Sequence, residues 1–132
     1  MKSSSWSVGE VAERFDLPTN VLRHWETVGL LAPARDGAGR RRYSRDDVGR
    51  VAIILRSKSA GMSLEQIGVL LDSGARSRHE VLSAHLADLD RRMEEMRISR
   101  EMTQHAFDCK AHDIATCPRF RAQVADLLVD FR

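Results

Sequence analysis

The stretch Ser7-Val8-Gly9-Glu10-Val11-Ala12-Glu13-Arg14-Phe15-Asp16-Leu17-Pro18, continued by Thr19-Asn20-Val21-Leu22-Arg23-His24-Trp25-Glu26-Thr27-Val28-Gly29, decides the fold. Ser7 and Glu10 have capping-box spacing, in which the serine hydroxyl takes an orphan backbone N–H and the glutamate reaches back to the cap. Val8, Val11, Ala12 and Phe15 then follow helical spacing. Pro18 ends this helix, because it lacks a donor and restricts Leu17 before it. A second helix is predicted from Thr19 to about Val28, with Val21, Leu22, Trp25 and Val28 on its apolar face and Gly29 as its stop. Two short helices joined by a tight turn make a helix-turn-helix candidate.

Working outward, Leu30 to Arg35 and Arg40 to Tyr43 flank the turn Asp36-Gly37-Ala38-Gly39 and read as a hairpin carrying arginines. Ser44-Arg45-Asp46-Asp47 opens a third helix, with Val48, Val51, Ala52 and Leu55 on one face and Gly61 at its end. Ser63-Leu64-Glu65-Gln66 opens a short fourth one. Ser77-Arg78-His79-Glu80 starts the longest pattern, reaching about Phe107. There Leu82, Leu86, Leu89, Met93 and Met96 step by four and three, a heptad seam that keeps one stripe facing a partner helix. A helix of roughly 30 residues is ~45 Å long, more than a domain of short helices can cover, so a homodimer is expected. Pro118 suits the first turn of a last helix with Phe120, Val124, Leu127, Leu128 and Phe131 on one face.

The expected architecture is mostly α: a winged helix-turn-helix over 1–75 with a β-hairpin wing, a coiled-coil dimerisation helix over 76–108, and an effector loop with a short C-terminal helix over 109–132. The 132 residues, 42% hydrophobic and 30% charged, fit one folded domain and exclude a disordered chain. The longest uncharged apolar runs, Val51 to Leu55 and Leu127 to Val129, are far short of a membrane span. The lack of a secretory h-region, together with only two cysteines, points to a reducing cytoplasm and no membrane partner. No Gly-rich phosphate loop or nucleophile–base constellation appears, which argues against an enzyme.

Charge is unevenly distributed. Residues 1–60 hold eleven Lys and Arg against seven Asp and Glu, whereas 61–132 hold ten against twelve. A basic module joined to a near-neutral one suits polyanion binding at one end. A recognition helix fits the major groove of double-stranded DNA, and a wing follows phosphates or enters the minor groove. The candidate contacts are Asn20, Arg23 and His24 on the second helix, and Arg35, Arg40, Arg41, Arg42 and Tyr43 on the hairpin. Tyr43 has a second reading, as wing packing, and Trp25 reads as core.

Several motifs in order resemble the N-terminal signature of MerR-family transcription regulators. They are Ser7 to Ala12, Val21 to Glu26, Gly29-Leu30-Leu31, Gly39-Arg40-Arg41-Arg42-Tyr43-Ser44 and Gly61 to Ile67. The sequence departs from the usual pattern with His24-Trp25 in place of a Tyr-Tyr or Tyr-Phe pair, and with Pro18 in place of a Ser or Thr cap. The resemblance implies a winged helix with an antiparallel coiled-coil dimer. It also implies promoter DNA with an overlong spacer, bent and undertwisted when effector binds, and RNA polymerase at that promoter.

Cys109-Lys110-Ala111-His112-Asp113-Ile114-Ala115-Thr116-Cys117-Pro118 resembles the metal-binding loop of the copper- and zinc-sensing branch. Two thiolates alone suit Cu(I). Cys109, His112 and Cys117 together suit Zn(II), with a fourth ligand such as Asp113, His105 or the partner's His79. The resemblance implies a further cysteine at the start of the dimer helix in mercury- and zinc-sensing members; this sequence has none between Ser73 and Glu80, which weakens a mercury or multinuclear zinc site. His85 and His105 are otherwise expected to be solvated. The competing readings are a thiol-redox or small-molecule-responsive regulator, buried structural cysteines, and an architectural or excision-type DNA-bending protein without an effector.

Overall fold

A computed structural model describes residues 5–110 and 113–131. The chain divides into two compact units at the boundary between His85 and Leu86.

In the first unit, α1 (Val8–Arg14) and α2 (Thr19–Thr27) form the helix-turn-helix. The Ser7 box closes in both directions, Glu10 N–H to Ser7 Oγ and Ser7 N–H to Glu10 Oε1, each at 3.1 Å. Such a cap is worth about 1 kcal/mol. The turn is tighter than a proline break alone would make it. Asp16 adopts φ 55°, and Leu17 N–H reaches back to the Ala12 carbonyl at 2.8 Å. Aspartate tolerates this left-handed conformation better than a branched side chain would. Gly29, at φ 84°, performs the equivalent stop after α2, and the next residue's N–H bonds to the Trp25 carbonyl at 2.9 Å.

The wing is a three-stranded antiparallel sheet rather than a two-stranded hairpin. β1 (Ser5–Trp6), β2 (Ala34–Arg35) and β3 (Arg41–Ser44) stand in the order β1-β3-β2, with Trp6 opposite Tyr43 and Arg35 opposite Arg41. Asp36 Oδ1 accepts from the N–H groups of Ala38 and Arg40, both at 2.9 Å, and ties the wing turn. The Arg40 N–H is the main reason its carboxyl sits below the usual carboxylate range.

α3 (Arg45–Ser59) and α4 (Leu64–Leu71) complete the unit. Reciprocal boxes also form at Ser44 and Ser63; at Ser77 the described contact is from backbone alone, Val81 N–H to Ser77 O at 2.9 Å. The core gathers Val11, Leu22, Trp25, Leu31, Tyr43, Val51, Ile54 and Ile67, and Leu82 packs against it. His85 is also buried, against the expectation of a solvated side chain.

That helix, α5 (Arg78–Asp108), is 31 residues long. Within the second unit it is polar on most sides and laced by ion pairs at helical spacing. Arg91 bridges Asp88 at 2.5 Å and Glu95 at 2.8 Å, and Arg97 pairs with Glu94 at 2.6 Å and with Glu101. Exposed pairs of this kind add a few tenths of a kcal/mol each to helix formation. The seam residues Leu86, Met93 and Met96 are 62%, 69% and 70% exposed. After α5 come a 3-10 turn (Ile114–Thr116), α6 (Pro118–Ala122) and a 3-10 segment (Ala125–Phe131). The single last helix expected from sequence is thus broken after Ala122, and its intended face is open: Leu127, Leu128 and Phe131 are all exposed. Among the described residues no helix is long and apolar enough to cross a membrane.

Candidate nucleic-acid interface and metal centre

α2 sits with Leu22 and Trp25 in the core, which turns Asn20, Arg23 and His24 outward. Helical periodicity enforces this split, since residues 22 and 25 share a face that 20, 23 and 24 do not. The wing lies beside this helix. Arg23, Arg35 and Arg41 line one cleft between them, of about 450 Å³, with Glu26, Thr27 and Pro33. Arg41 Nε lies 2.5 Å from Glu26 Oε2, an ion pair that joins wing to helix. Arg42 donates to the Ser5 carbonyl at 3.0 Å and to Ser5 Oγ at 3.1 Å, and Arg35 donates to the Gly39 carbonyl at 2.9 Å. Arg40 is exposed on the wing turn. Of the hairpin arginines, three therefore brace the wing as well as charging it.

Tyr43 lies elsewhere than on that surface. It is 0% exposed, on the core side of β3, so its place is the packing alternative, with no edge open to a phosphate. Burial is the first cause, and the nearby Glu26 carboxylate the second, that push its hydroxyl up to about 12.

A second cluster lies wholly in the second unit. His105 Nε2 is 3.3 Å from Cys117 Sγ, Cys109 Sγ is 3.8 Å from Cys117 Sγ, and the three donor atoms lie within 4.8 Å of one another. His105 and Cys109 occupy the last turn of α5 and its end, four residues apart and thus on one face. The Cys109 N–H bonds to the His105 carbonyl at 2.8 Å, which holds that spacing. Cys117 caps α6, ahead of Pro118. His105 also stacks on Phe120, ring centroids 6.5 Å apart.

His105 is thus half-buried beside the thiols rather than solvated. The sequence signal that reveals it is His105-x-x-x-Cys109, two donors at helical spacing. His112, the imidazole expected from the loop, lies outside the described residues. Asp113, the other loop candidate, caps the 3-10 turn by accepting from Ala115 N–H at 3.0 Å.

The Cys117 thiol is lowered to about 7, first by its hydrogen bond to His105 and then by the backbone N–H of Phe120 at the start of α6. An ordinary thiol titrates near 8.5. A thiolate favoured in the folded chain stabilises it above the ordinary thiol range, and that contribution is lost as pH falls through about 7. In the metal-free protein His105→Phe keeps a ring against Phe120 and removes the donor. The Cys117 titration, read by ultraviolet thiolate absorbance, is then expected to move up toward the ordinary value. An unmoved titration would show that the imidazole has no part in it. Two thiols and an imidazole are a donor set that fits a soft or borderline metal ion.

Residues 6–74 match the family model described as MerR HTH family regulatory protein, and residues 48–106 match that described as MerR, DNA binding. The chain belongs to the MerR family. MerR proteins and the relatives of this chain are transcriptional regulators rather than enzymes, and this chain is a MerR-type DNA-binding transcriptional regulator. It is 30% identical to the HTH-type transcriptional regulator HmrR of Rhizobium leguminosarum bv. viciae, over 85% of this chain and 92% of that one. It is 34% identical to a probable heavy metal-dependent transcriptional regulator of Haemophilus influenzae, over 84% and 93%. The crystal structure of the MerR regulator PbrR691 from Ralstonia metallidurans CH34 in complex with Lead(II) superposes with TM-score 0.54 at 26% identity, covering 89% of this chain and 98% of that one. The MerR fold is also shared with HiNmlR bound to promoter DNA, at TM-score 0.60 and 20% identity, over 77% and 83%.

Proposed function

We propose that this MerR-type regulator is a homodimer that distorts promoter DNA in response to a metal ion held between Cys109 and Cys117. Residues 1–75 bind the DNA, 76–108 dimerise, and 109–132 respond to the ion. The thiol pair beside His105 at the end of α5 carries this reading, supported by the heavy metal-dependent relative and the lead-bound neighbour. Zn(II) and Cu(I) are the ions whose chemistry the donors suit. In this reading Asn20, Arg23 and His24 face the major groove, while Arg35, Arg40 and Arg42 lie along phosphates. Arg41 orients the wing through Glu26, and Tyr43 supports it from beneath.

The test is transcription by RNA polymerase from the cognate promoter, together with cleavage footprinting, with and without Zn(II) or Cu(I). Metal is expected to raise or lower transcript and to change the cleavage pattern at the centre of the site, with little change in DNA affinity. A ligand shifts two states only by binding them differently. A footprint and transcript unaltered by either ion would overturn the reading. Arg23→Ala and Arg40→Ala address the contact residues. Each is expected to flatten the slope of log affinity against log salt by about 0.9 for every phosphate that the arginine neutralises. An unchanged slope would remove that residue from the interface.

A second reading rests on the 3.8 Å between the two sulfurs. A peroxide could oxidise them: the Cys117 thiolate attacks a peroxide oxygen and hydroxide leaves, giving a sulfenic acid. The Cys109 thiol then displaces water from that sulfur to form a disulfide. A transcript that answers hydrogen peroxide but neither metal would favour this reading over the first.

A further inference from the structure

The geometry points to His105 as a third metal ligand, which makes the site an imidazole–dithiolate set selective for a borderline divalent ion of the Zn(II) class over Cu(I). We draw this on top of the reading of the cysteine pair as metal-binding.

The first argument is the spacing of the sulfurs. Two thiolates ~2.3 Å from one ion and at the tetrahedral angle stand about 3.8 Å apart; placed on opposite sides of a two-coordinate ion they would stand on the order of 4.5 Å apart. The sulfurs of Cys109 and Cys117 are 3.8 Å apart. An imidazole nitrogen ~2.0 Å from the same ion would stand about 3.5 Å from each sulfur. His105 Nε2 is 3.3 Å from Cys117 Sγ. Two of the three donor spacings are thus those of a four-coordinate ion, and all three donor atoms lie within 4.8 Å of one another, so a shift of the His105 ring toward Cys109 would complete the set.

The second argument is how the donors are held. His105 sits in the last turn of α5 and Cys109 is the first residue beyond it; the Cys109 N–H bond to the His105 carbonyl at 2.8 Å continues the helical spacing, so the two ligands share a face. The His105 ring is steadied by its stack on Phe120. Cys117 closes the site from the N-cap of α6. A two-coordinate soft ion is satisfied by the thiolates and gains little from the ring. An ion that prefers four mixed ligands loses one of them without it.

The test measures Zn(II) affinity against a chromophoric chelator and Cu(I) affinity against a Cu(I)-specific one, in wild type and in His105→Phe. The variant is expected to lose at least ~10–100-fold in Zn(II) affinity, the scale seen even for outer-shell partners, and to keep its Cu(I) affinity within a few-fold. X-ray absorption of the Zn(II)-loaded wild type provides a second readout that no folding defect can imitate. It should resolve two sulfurs and an imidazole nitrogen, and the imidazole should persist in His112→Ala.

Equal Zn(II) affinity in wild type and His105→Phe, or loss of the imidazole signal in His112→Ala, would remove His105 from the site while leaving the dithiol reading intact. Parallel losses for both ions would keep the ligand but overturn the selectivity. A wild type that binds neither ion more tightly than a Cys109→Ser, Cys117→Ser protein would end the metal reading itself, and this inference with it.

Discussion

Leu86→Asp is expected to turn the proposed dimer into a folded monomer. Leu86 opens the exposed part of the α5 seam and is 62% exposed in the single chain, so the change costs the chain's own core little. Its helix penalty is a few tenths of a kcal/mol. In a two-fold dimer the same carboxylate enters the interface twice. An unpaired buried charge costs about 3–5 kcal/mol, and ~3 kcal/mol already weakens association more than ~100-fold. No cation stands three or four positions away to rescue it, since those places hold Leu82, Ser83, Leu89 and Asp90. Sedimentation velocity should show monomer while circular dichroism keeps its helical signal. Operator affinity should fall steeply, because two half-sites held by one dimer become two separate bimolecular events. A variant that sediments with wild type would remove α5 from the interface.

The second large effect concerns the thiols. Cys109→Ser and Cys117→Ser are each expected to abolish the metal-dependent change in transcript, with operator binding within a few-fold of wild type. A serine hydroxyl is a hard, weakly acidic donor and cannot replace a thiolate on a soft or borderline ion. The proposed DNA-facing residues lie on α2 and the wing, in the other compact unit, so the independence of the two readouts is the informative part. Because thiolates must lose protons to bind, metal affinity should weaken as pH falls. A full metal response in the double variant would end the reading of this pair as the sensor.

Much of the first unit was legible because its signals are local. The serines at 7, 44 and 63, a proline at 18 and a glycine at 29 act within a few residues, and a helix starts or stops beside each as expected. β1 carried no such signal: two residues have no periodicity, and Ser5–Trp6 becomes a strand only by pairing with β3. The Glu26–Arg41 pair was hidden for the same reason, since fifteen positions separate two side chains that only the fold brings together. His105 allowed two readings, as a candidate fourth ligand and as a solvated helix position, and its place four residues before Cys109 was the local signal for the first. Beyond Ala122 the apolar spacing suggested a continuous helix, and spacing alone could not report that the chain winds into a 3-10 segment with its apolar side chains open.

His105, Cys109 and Cys117 all fall within one short stretch near the end of the chain. A chelate this local has low contact order and needs no distant segment to be in place before it closes. Ions would therefore also find these donors in the unfolded chain. Binding to both states cancels part of the linkage, so a tightly held ion should raise the melting temperature less than its affinity alone would give. The same locality makes the stretch transplantable: the proposed ligands travel together, and their tuning can drift without disturbing the proposed operator-reading surface.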